Sequence, residues 1–269
     1  MNFDTQHCRA VITGASSGLG AEFARQLAPT ATALYLTGRR QEALEAVKTA
    51  CLTLNPALQI HLYACDIATD EGRGALLENV HHCGFQPNLL INNAGMGDYG
   101  TVASAQAEKL RAQMDLNMTA LVLLTHAFIP HLQRPGGIIN ISSLASTLPM
   151  PAMAVYAASK AFVTSFSEAL AIELAPESIA VTCVCPGPTP TRFSQTARRP
   201  DGEDTDRGGQ GALRIPPQQV VAESLAALRV GQACLYPGLG VKIAARLFRL
   251  LPRIFLRPLL RRRYAKGTV

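Results

Sequence analysis

The sequence alternates between seven short apolar runs and longer segments in which apolar residues recur every three or four positions. Several short runs, such as Asn88–Asn92, are nearly continuous in apolar residues, which is typical of parallel strands buried on both faces. The longer segments have the spacing of helices that bury one face. Alternation repeated this often predicts an α/β fold, in which helices cover a doubly wound parallel sheet of seven strands.

The same periods give the expected bounds of each element. We expect strands at Cys8–Thr13, Ala31–Thr37, Leu58–Ala64, Asn88–Asn92, Gly137–Ser142, Ile179–Val184 and Ala233–Tyr236. We expect helices at Leu19–Ala28, Gln41–Leu54, Asp70–His82, Val155–Leu174 and Pro217–Val230, and one long helix near Ala105–Leu132. No domain boundary interrupts residues 1–240, and the polar, glycine-rich stretch within residues 188–215 predicts a surface loop or a lid.

Charge is distributed unevenly along the 269 residues, whose formal net charge is +6. Nine of the 25 basic residues lie in 241–269, which has no acidic residue, so residues 1–240 hold 16 basic against 19 acidic residues. The body is therefore mildly acidic and the C-terminal tail strongly basic. Aromatic residues make up only 6% of the chain and Trp is absent, which disfavours a stacking platform for single-stranded nucleic acid.

The tail at 241–269 has the pattern of a basic amphipathic helical extension, which Pro252 and Pro258 should interrupt. On a helical wheel one arc holds Lys242, Arg246, Arg249, Arg253, Arg257 and Arg261, and the neighbouring arc holds Ile243, Leu247, Leu250, Leu251, Ile254 and Phe255. Two interpretations stay open: the tail packs on the body or on a second subunit, or it contacts an anionic membrane or an acidic carrier protein. Nucleic acid is not expected, because no motif for reading it accompanies the tail.

The cysteines indicate a reducing compartment, because their number is odd at seven and no C-x-x-C pair occurs. No apolar run reaches the length of a membrane span, and the first residues do not resemble a signal peptide. We expect a cytoplasmic protein, with peripheral contact at a membrane as the alternative for the tail. His81-His82-Cys83 has no partner cluster nearby, so we expect no metal site.

A glycine-rich loop, Thr13-Gly14-Ala15-Ser16-Ser17-Gly18-Leu19-Gly20, joins the first strand to the first helix. Such a loop lets the backbone approach a pyrophosphate, and the helix N-terminus offers it free N–H groups. The second strand is followed by Arg39 and Arg40, where an acid would select NAD. Arginines suit a 2′-phosphate, so we predict NADP(H) as the cofactor. The alternative is that both arginines begin a helix in solvent.

Three residues predict proton-transfer chemistry. Tyr156 and Lys160 stand four positions apart in a predicted helix, which places them on one face. An ammonium group beside a phenol lowers the pKa of the phenol and makes it an acid or base for catalysis. Ser143 ends the fifth strand, and doubly wound folds place their sites at such ends.

These motifs resemble the classical short-chain dehydrogenase/reductases, a family with a single Rossmann-type domain, over about Cys8 to Tyr236. The resemblance implies a catalytic set of Asn117, Ser143, Tyr156 and Lys160. It implies cofactor-binding residues at Gly14, Ser16, Ser17, Gly18, Leu19, Gly20, Arg39, Arg40, Asp66, Ile67, Asn93, Ala94, Gly95, Tyr156, Lys160, Pro186, Gly187, Thr189 and Thr191. Thr189 departs from the hydrophobic residue that is commoner in the family at its position.

The function that the resemblance implies is NADPH-dependent reduction of a ketone or 3-oxoacyl group on a small molecule, free or bound to a carrier. Ser143 and Tyr156 would bind the carbonyl oxygen, Tyr156 would donate the proton, and Lys160 would lower the pKa of Tyr156 and bind the nicotinamide ribose. Asn117 would hold a water molecule. A homodimer or homotetramer is expected, and Leu148, Met150 and Met153 should make the substrate pocket apolar.

Other interpretations of these residues are open as well. The chain could be an NADP-dependent alcohol dehydrogenase or a dinucleotide sensor, although a sensor would not need Ser143, Tyr156 and Lys160. Asn117 could mark a helix kink, and Ser143 and Asp66 could cap the helices that follow them. Asn92 is expected to be structural rather than a direct ligand.

Overall fold

The computed structural model describes residues 3–191, 193, 197, 211–250, 254, 257–258 and 260–262. All seven strands are parallel and form one sheet in the order β3-β2-β1-β4-β5-β6-β7. The strands are β1 (Arg9–Thr13), β2 (Ala33–Gly38), β3 (Gln59–Ala64), β4 (Leu89–Asn92), β5 (Gly136–Ile141), β6 (Ile179–Val184) and β7 (Cys234–Leu235). The predicted doubly wound α/β fold is confirmed.

The helices that connect the strands occupy most of the predicted segments. They are α1 (Gly18–Leu27), α2 (Gln41–Leu54), α3 (Asp70–His82), α4 (Ala107–Met114), α5 (Ala120–Phe128), α6 (Ala154–Leu174), α7 (Pro217–Arg229) and α8 (Leu239–Leu250). Short 3-10 turns follow β5 at Leu144–Thr147 and precede α7 at Gly211–Leu213. The bounds of α2 and α3 are those that the sequence predicted.

Side chains of the central strands pack into two separate cores, one on each face of the sheet. Ala10 and Ile12 of β1 belong to one core, and Val11 between them belongs to the other. All three side chains are fully buried. Successive residues of a strand point to opposite faces, so a strand covered on both sides needs an uninterrupted apolar run. This is why the apolar runs of the sequence identify the strands.

The long helix expected near Ala105–Leu132 is interrupted, so that prediction was wrong. A π-helical turn at Asp115–Thr119 separates α4 from α5, and a 3-10 turn with Pro130 at its second position ends the segment at His131. A π-helical turn inserts about one extra residue into the helical repeat and is common at functional sites. Apolar periodicity does not reveal such an insertion, because the helices on both sides keep their own period.

Helix α8 packs against the body near the carboxyl ends of the strands. Val241 and Ala245 are buried there against Leu144 of the 3-10 turn that follows β5. Ile243 and Leu247 belong to the apolar arc that the helical wheel gave for the tail, but both side chains are exposed to solvent. The contact of the tail with the body thus runs through residues outside that arc.

Parts of two predicted segments lie outside the described residues. They are residues 192, 194–196 and 198–210 of the predicted lid, and residues 251–253, 255–256, 259 and 263–269 of the tail. In the described part of the chain, no helix is long and apolar enough to cross a membrane.

Candidate active site

A cleft of about 1210 Å³ lies at the carboxyl ends of the strands. Of the predicted site residues, it is lined by Gly14, Ser16, Ser17, Gly18, Leu19, Arg39, Arg40, Asp66, Ile67, Asn93, Ala94, Gly95, Ser143, Tyr156, Lys160, Pro186, Gly187, Thr189 and Thr191. Gly20 and Asn117 do not line the cleft surface. The cleft includes the point between β1 and β4 where the direction of strand order reverses, which is the usual ligand position in such sheets.

The loop after β1 is held by close backbone packing. Gly14 has a φ of +63°, and a Cβ atom there would lie 2.8 Å from the Cα of Ala94. A Cβ at Gly20 would lie 2.4 Å from the carbonyl oxygen of Gly14. The Asn93 side-chain amide donates to the carbonyl oxygens of Thr13 at 2.9 Å and Gly14 at 3.2 Å. Gly20 and Asn93 therefore shape the loop from behind.

The N-terminus of α1 faces the cleft and suits an anion. Ser17 precedes the helix in an extended conformation, and its side chain makes no capping hydrogen bond in the described part of the chain. The first N–H groups of a helix have no partners within it and carry a partial positive charge. A pyrophosphate would satisfy them, so this end of the cleft fits a dinucleotide.

Arg39, Arg40 and Asp66 line the cleft near the ends of β2 and β3. The alternative role of Asp66 as a helix cap was wrong, because the cap of α3 is Thr69, whose hydroxyl accepts a 3.0 Å hydrogen bond from the Gly72 amide. Asp66 Oδ1 instead accepts from the Ala68 amide at 3.0 Å. Arg40 directly precedes α2, which agrees with the alternative that the arginines begin a helix in solvent. Both arginines are exposed along the cleft.

The structure distinguishes Ser143 from its neighbour Ser142. The Ser142 hydroxyl is buried and donates to the carbonyl oxygen of Lys160 at 2.8 Å, so it joins β5 to α6. The Ser143 hydroxyl accepts from the Ala145 amide at 3.1 Å and lies near enough to Tyr156 to lower the pKa of its phenol. Ser143 thus caps the turn that follows and also faces the predicted acid.

Tyr156 and Lys160 are both buried on one face of α6. The Nζ atom of Lys160 lies 5.9 Å from the centre of the Tyr156 ring and donates to the Ile141 carbonyl oxygen at 2.9 Å. Burial raises the pKa of Tyr156 to about 12, against the lowering effect of its hydrogen bond with Ser143. Burial also lowers the pKa of Lys160 to about 8.

The expected lowering of the Tyr156 pKa by Lys160 was therefore wrong for the protein without its cofactor. Burial in a medium of low polarity disfavours the charged forms of both groups, which moves the two pKa values towards the neutral pair. The phenol stays protonated across the physiological pH range. In this state the phenol holds the proton that a reduction would consume.

Asn117 lies in the π-helical turn, which agrees with the alternative that it marks a helix kink. Its side chain is hydrogen-bonded within the protein. Its Oδ1 accepts from the Met96 amide at 2.9 Å, and its Nδ2 donates to the Met96 carbonyl oxygen at 2.9 Å and to Ser159 Oγ at 3.0 Å. Ser159 in turn donates to the carbonyl oxygen of Tyr156 at 2.8 Å. Asn117 thus connects the segment after β4 to the helix that carries Tyr156.

Asn92 is structural, as expected, since its buried amide donates to Thr125 and Asn140 at 2.9 Å each. Among the described residues no group of three His, Cys, Asp or Glu side chains is arranged to hold a metal ion.

Several cleft residues were missed by sequence reasoning. Phe193 packs on Tyr156 with 5.4 Å between ring centres, and Tyr99 lies in the same apolar cluster with Met150 and Met153. The tail contributes Phe248 and Leu260 to the cleft wall. The spacing of Val241, Ala245 and Phe248 at three and four residues was the available signal for Phe248.

Comparison with known proteins identifies the family. Residues 9–202 match the family model described as short chain dehydrogenase. The chain belongs to the short-chain dehydrogenase family. It is an oxidoreductase of this family, acting on hydroxyl or carbonyl groups.

Relatives of this short-chain dehydrogenase cover most of its length. It is 31% identical over 260 residues to dehydrogenase/reductase SDR family member 7B of Xenopus tropicalis, covering 93% of this chain and 84% of that one. It is 32% identical over 216 residues to sulfoacetaldehyde reductase of Chromohalobacter salexigens, covering 79% and 84%. Among solved structures, a short-chain dehydrogenase from Sphingobium yanoikuyae in complex with NADPH matches with a TM-score of 0.76 and 28% identity, covering 93% and 94%.

Proposed function

We propose that this protein is an NADPH-dependent carbonyl reductase, which converts an apolar ketone or 3-oxoacyl group to a secondary alcohol. The observation that carries the proposal is that Ser143, Tyr156 and Lys160 line one cleft together, with the Lys160 Nζ atom 5.9 Å from the centre of the Tyr156 ring. Arg39 and Arg40 lie along the same continuous cleft, next to the phosphate loop. Residues 1–240 form the catalytic domain in this proposal, and the tail adds to its cleft.

The cofactor assignment is supported by charge and by shape. The open N-terminus of α1 and the close-packed loop at Gly14 fit a pyrophosphate, and two exposed arginines suit an additional phosphate on the adenosine ribose. The NADPH complex of the Sphingobium relative supports the same cofactor. When bound, NADPH supplies the hydride that reduces the carbonyl carbon.

The chain's own residues supply the proton and stabilise the developing charge. Ser143 and Tyr156 donate hydrogen bonds to the carbonyl oxygen, so donors are already in place when that oxygen becomes negative. Tyr156 then gives its proton to the oxygen. Burial keeps Tyr156 protonated, so the phenol carries the proton that reduction consumes.

Lys160 and Asn117 position these groups. The Lys160 ammonium group is anchored on the Ile141 carbonyl oxygen and faces the cleft, where it would bind the nicotinamide ribose. Asn117 acts through Ser159, which is bound to the main chain of Tyr156. In this proposal Asn117 is a positioning residue, and the water molecule that the resemblance assigned to it remains a prediction.

The substrate end of the cleft is mostly apolar. Its lining includes Leu148, Met150 and Met153, as predicted, together with Tyr99 and Phe193. Adaptable methionine side chains and aromatic rings favour an apolar body next to the reacting carbonyl group. A substrate attached to a carrier would leave the cleft past Arg214, an exposed cation on its rim.

Exposed apolar side chains on α5 and α6 support assembly into a homodimer or homotetramer. Leu123, Phe162 and Ile172 are between 41% and 77% exposed, and the rings of Phe162 and Phe166 are stacked at 6.1 Å. A second copy of the chain would cover these side chains.

A spectrophotometric panel tests the proposed function. Oxidation of NADPH and of NADH is followed with ketones, 3-oxoacyl thioesters and quinones as substrates, and the reverse reaction is followed with the matching alcohols. The proposal expects faster reduction with NADPH than with NADH on at least one apolar ketone or 3-oxoacyl substrate. Faster turnover with NADH, or turnover of quinones alone, would contradict it.

A further inference from the structure

Helix α8 has two apolar stripes on roughly opposite sides, and the body covers one of them. The covered stripe contains Val241, Ala245 and the half-buried Phe248. The other stripe contains Leu239, Ile243, Leu247 and Leu250, which are between 49% and 80% exposed. At 3.6 residues per turn these four side chains share an arc of about 80°. We call this second stripe the outer face of α8.

Cations border the outer face. Lys242 and Arg246 are exposed along one edge, and within the described chain neither has an ion-pair partner. Three more exposed cations follow at Arg257, Arg261 and Arg262. With no acidic residue in 241–269, this part of the surface has a positive charge while the rest of the chain is mildly negative.

The helix is fixed to the body in a way that keeps the outer face pointing outwards. Arg249 forms an ion pair of 3.6 Å with Glu168 of α6 and lies 5.5 Å from the ring centre of Tyr236. Together with the buried contacts of Val241 and Ala245, these interactions set the rotation of α8 about its axis. The outer face is therefore presented without any rearrangement of the helix.

We propose that the outer face of α8 docks on the surface of an anionic lipid bilayer. Leu239, Ile243, Leu247 and Leu250 would enter the boundary between headgroups and acyl chains, and Lys242 and Arg246 would contact lipid phosphates. An apolar stripe beside a row of cations is the pattern of a helix that lies in a membrane interface. A second copy of the chain fits this face less well, because two such faces bring like charges together. A nucleic acid fits less well, because the apolar side chains of the outer face would then lie against charged phosphates.

Docking would also bring the membrane close to the cleft. Phe248 lines the cleft from the covered side of the same helix whose outer face would touch the lipids. Docking therefore places the cleft wall one helix diameter, about 10 Å, from the bilayer surface. The docking itself does not depend on the proposed function, so the two are tested by separate measurements.

Vesicle flotation of the full chain tests the docking. We expect the protein to float with vesicles of phosphatidylcholine and phosphatidylserine, to float much less with phosphatidylcholine alone, and to be released by salt. Leu247→Asp should lower the partition coefficient about tenfold or more, the loss expected when a leucine no longer enters an apolar environment. The double variant Lys242→Glu with Arg246→Glu should lower it about fivefold for each cation, or more.

Matched substitutions elsewhere separate docking from general surface effects. Val230 and Arg229 are exposed at the end of α7, so Val230→Asp and Arg229→Glu should float like the unmodified protein. Thermal unfolding of every variant shows whether it is folded, because the substituted side chains of the outer face do not contact the core. Absence of flotation by the folded protein, or equal flotation of the outer-face and control variants, would overturn the proposal. Binding of a DNA duplex in place of vesicles would also overturn it. So would a smaller sedimentation coefficient for Leu247→Asp than for the unmodified protein, because the outer face would then hold a second copy of the chain.

Discussion

The Nζ atom of Lys160 donates a 2.9 Å hydrogen bond to the carbonyl oxygen of Ile141, the last residue of β5. This bond holds the ammonium group at the carboxyl end of the sheet, beneath the ring of Tyr156. Gly95 packs closely on this group. A Cβ atom added at Gly95 would lie 3.4 Å from the Lys160 Nζ atom and 3.2 Å from the Asn117 Oδ1 atom. Lys160 is thus positioned by the main chain of the sheet rather than by the phenol that it is predicted to assist.

Burial of Lys160 should reduce the stability of the cofactor-free protein at neutral pH. Its pKa of about 8 in the folded protein lies below the ordinary value of 10.5, so the unfolded chain binds more protons between these pH values. The contribution of Lys160 to the free energy of unfolding should therefore rise as pH increases from about 8 towards 10.5. Lys160→Met should remove this rise and stabilise the protein at neutral pH, while abolishing turnover.

Urea denaturation of both proteins at several pH values measures this effect as a difference, because the remaining titratable groups are the same in both. Lys242→Met, at an exposed position, is the control and should keep the pH dependence of the unmodified protein. An identical pH dependence for Lys160→Met would show that Lys160 is not destabilised by burial.

Gly20 should be indispensable to the cofactor loop, although it does not line the cleft. Gly20→Ala would place a methyl group 2.4 Å from the Gly14 carbonyl oxygen, so the loop must shift and NADPH binding should weaken at least tenfold. Gly74→Ala, on the exposed side of α3 with nothing within 4 Å, should instead stabilise the fold by about 0.5–1 kcal/mol. Fluorescence titration with NADPH and thermal unfolding measure both. Equal NADPH affinity of the two variants would refute this role of Gly20.

Arg39 and Arg40 should determine cofactor preference. Replacing either by Ala should raise the KM for NADPH by about tenfold or more, because a charge-assisted hydrogen bond to a phosphate is lost. The KM for NADH should change little, since NADH lacks that phosphate. Arg229→Ala, on the surface of α7, serves as the control in the same initial-rate measurement. An equal rise for both cofactors would mean that the arginines do not recognise the 2′-phosphate.

Phe248 should contribute to substrate selection. It lines the cleft from α8, so Phe248→Ala should raise the KM for bulky apolar ketones about tenfold and leave that for small ketones nearly unchanged. Leu247→Ala, on the outer face of the same helix, should change neither value in the absence of lipid. If both ketone classes respond equally, Phe248 supports the fold of the cleft rather than its selectivity.

Much of the fold was predictable from the sequence because each central strand is buried on both faces. β4 and β6 are apolar enough to be recognised at once, and the bounds of β6 agree at both ends. The π-helical turn at Asp115–Thr119 was not predictable, since its insertion leaves the apolar period of the flanking helices unchanged. β7, with only two residues, is shorter than predicted because only Cys234 and Leu235 find partners on β6.

The residues of the site were predictable where a motif fixes them and not where packing does. The spacing of Tyr156 and Lys160 and the glycine loop locate both ends of the cleft. The pKa shift of Tyr156 depends on how deeply the ring is buried beneath Phe193 and Met153, which no local spacing reveals. The roles of Val241 and Phe248 depend on which side of α8 the body covers, and the helical wheel alone did not determine that side.

The turnover of Tyr156→Phe tests the central claim most directly. This variant removes the proton donor and keeps the ring, so NADPH should still bind with nearly unchanged affinity. The kcat for NADPH oxidation with an apolar ketone should fall by about 10²–10⁴, the usual contribution of a positioned acid. Tyr63→Phe, on β3, is the control and should retain full activity. Turnover of Tyr156→Phe at the rate of the unmodified protein would contradict the account.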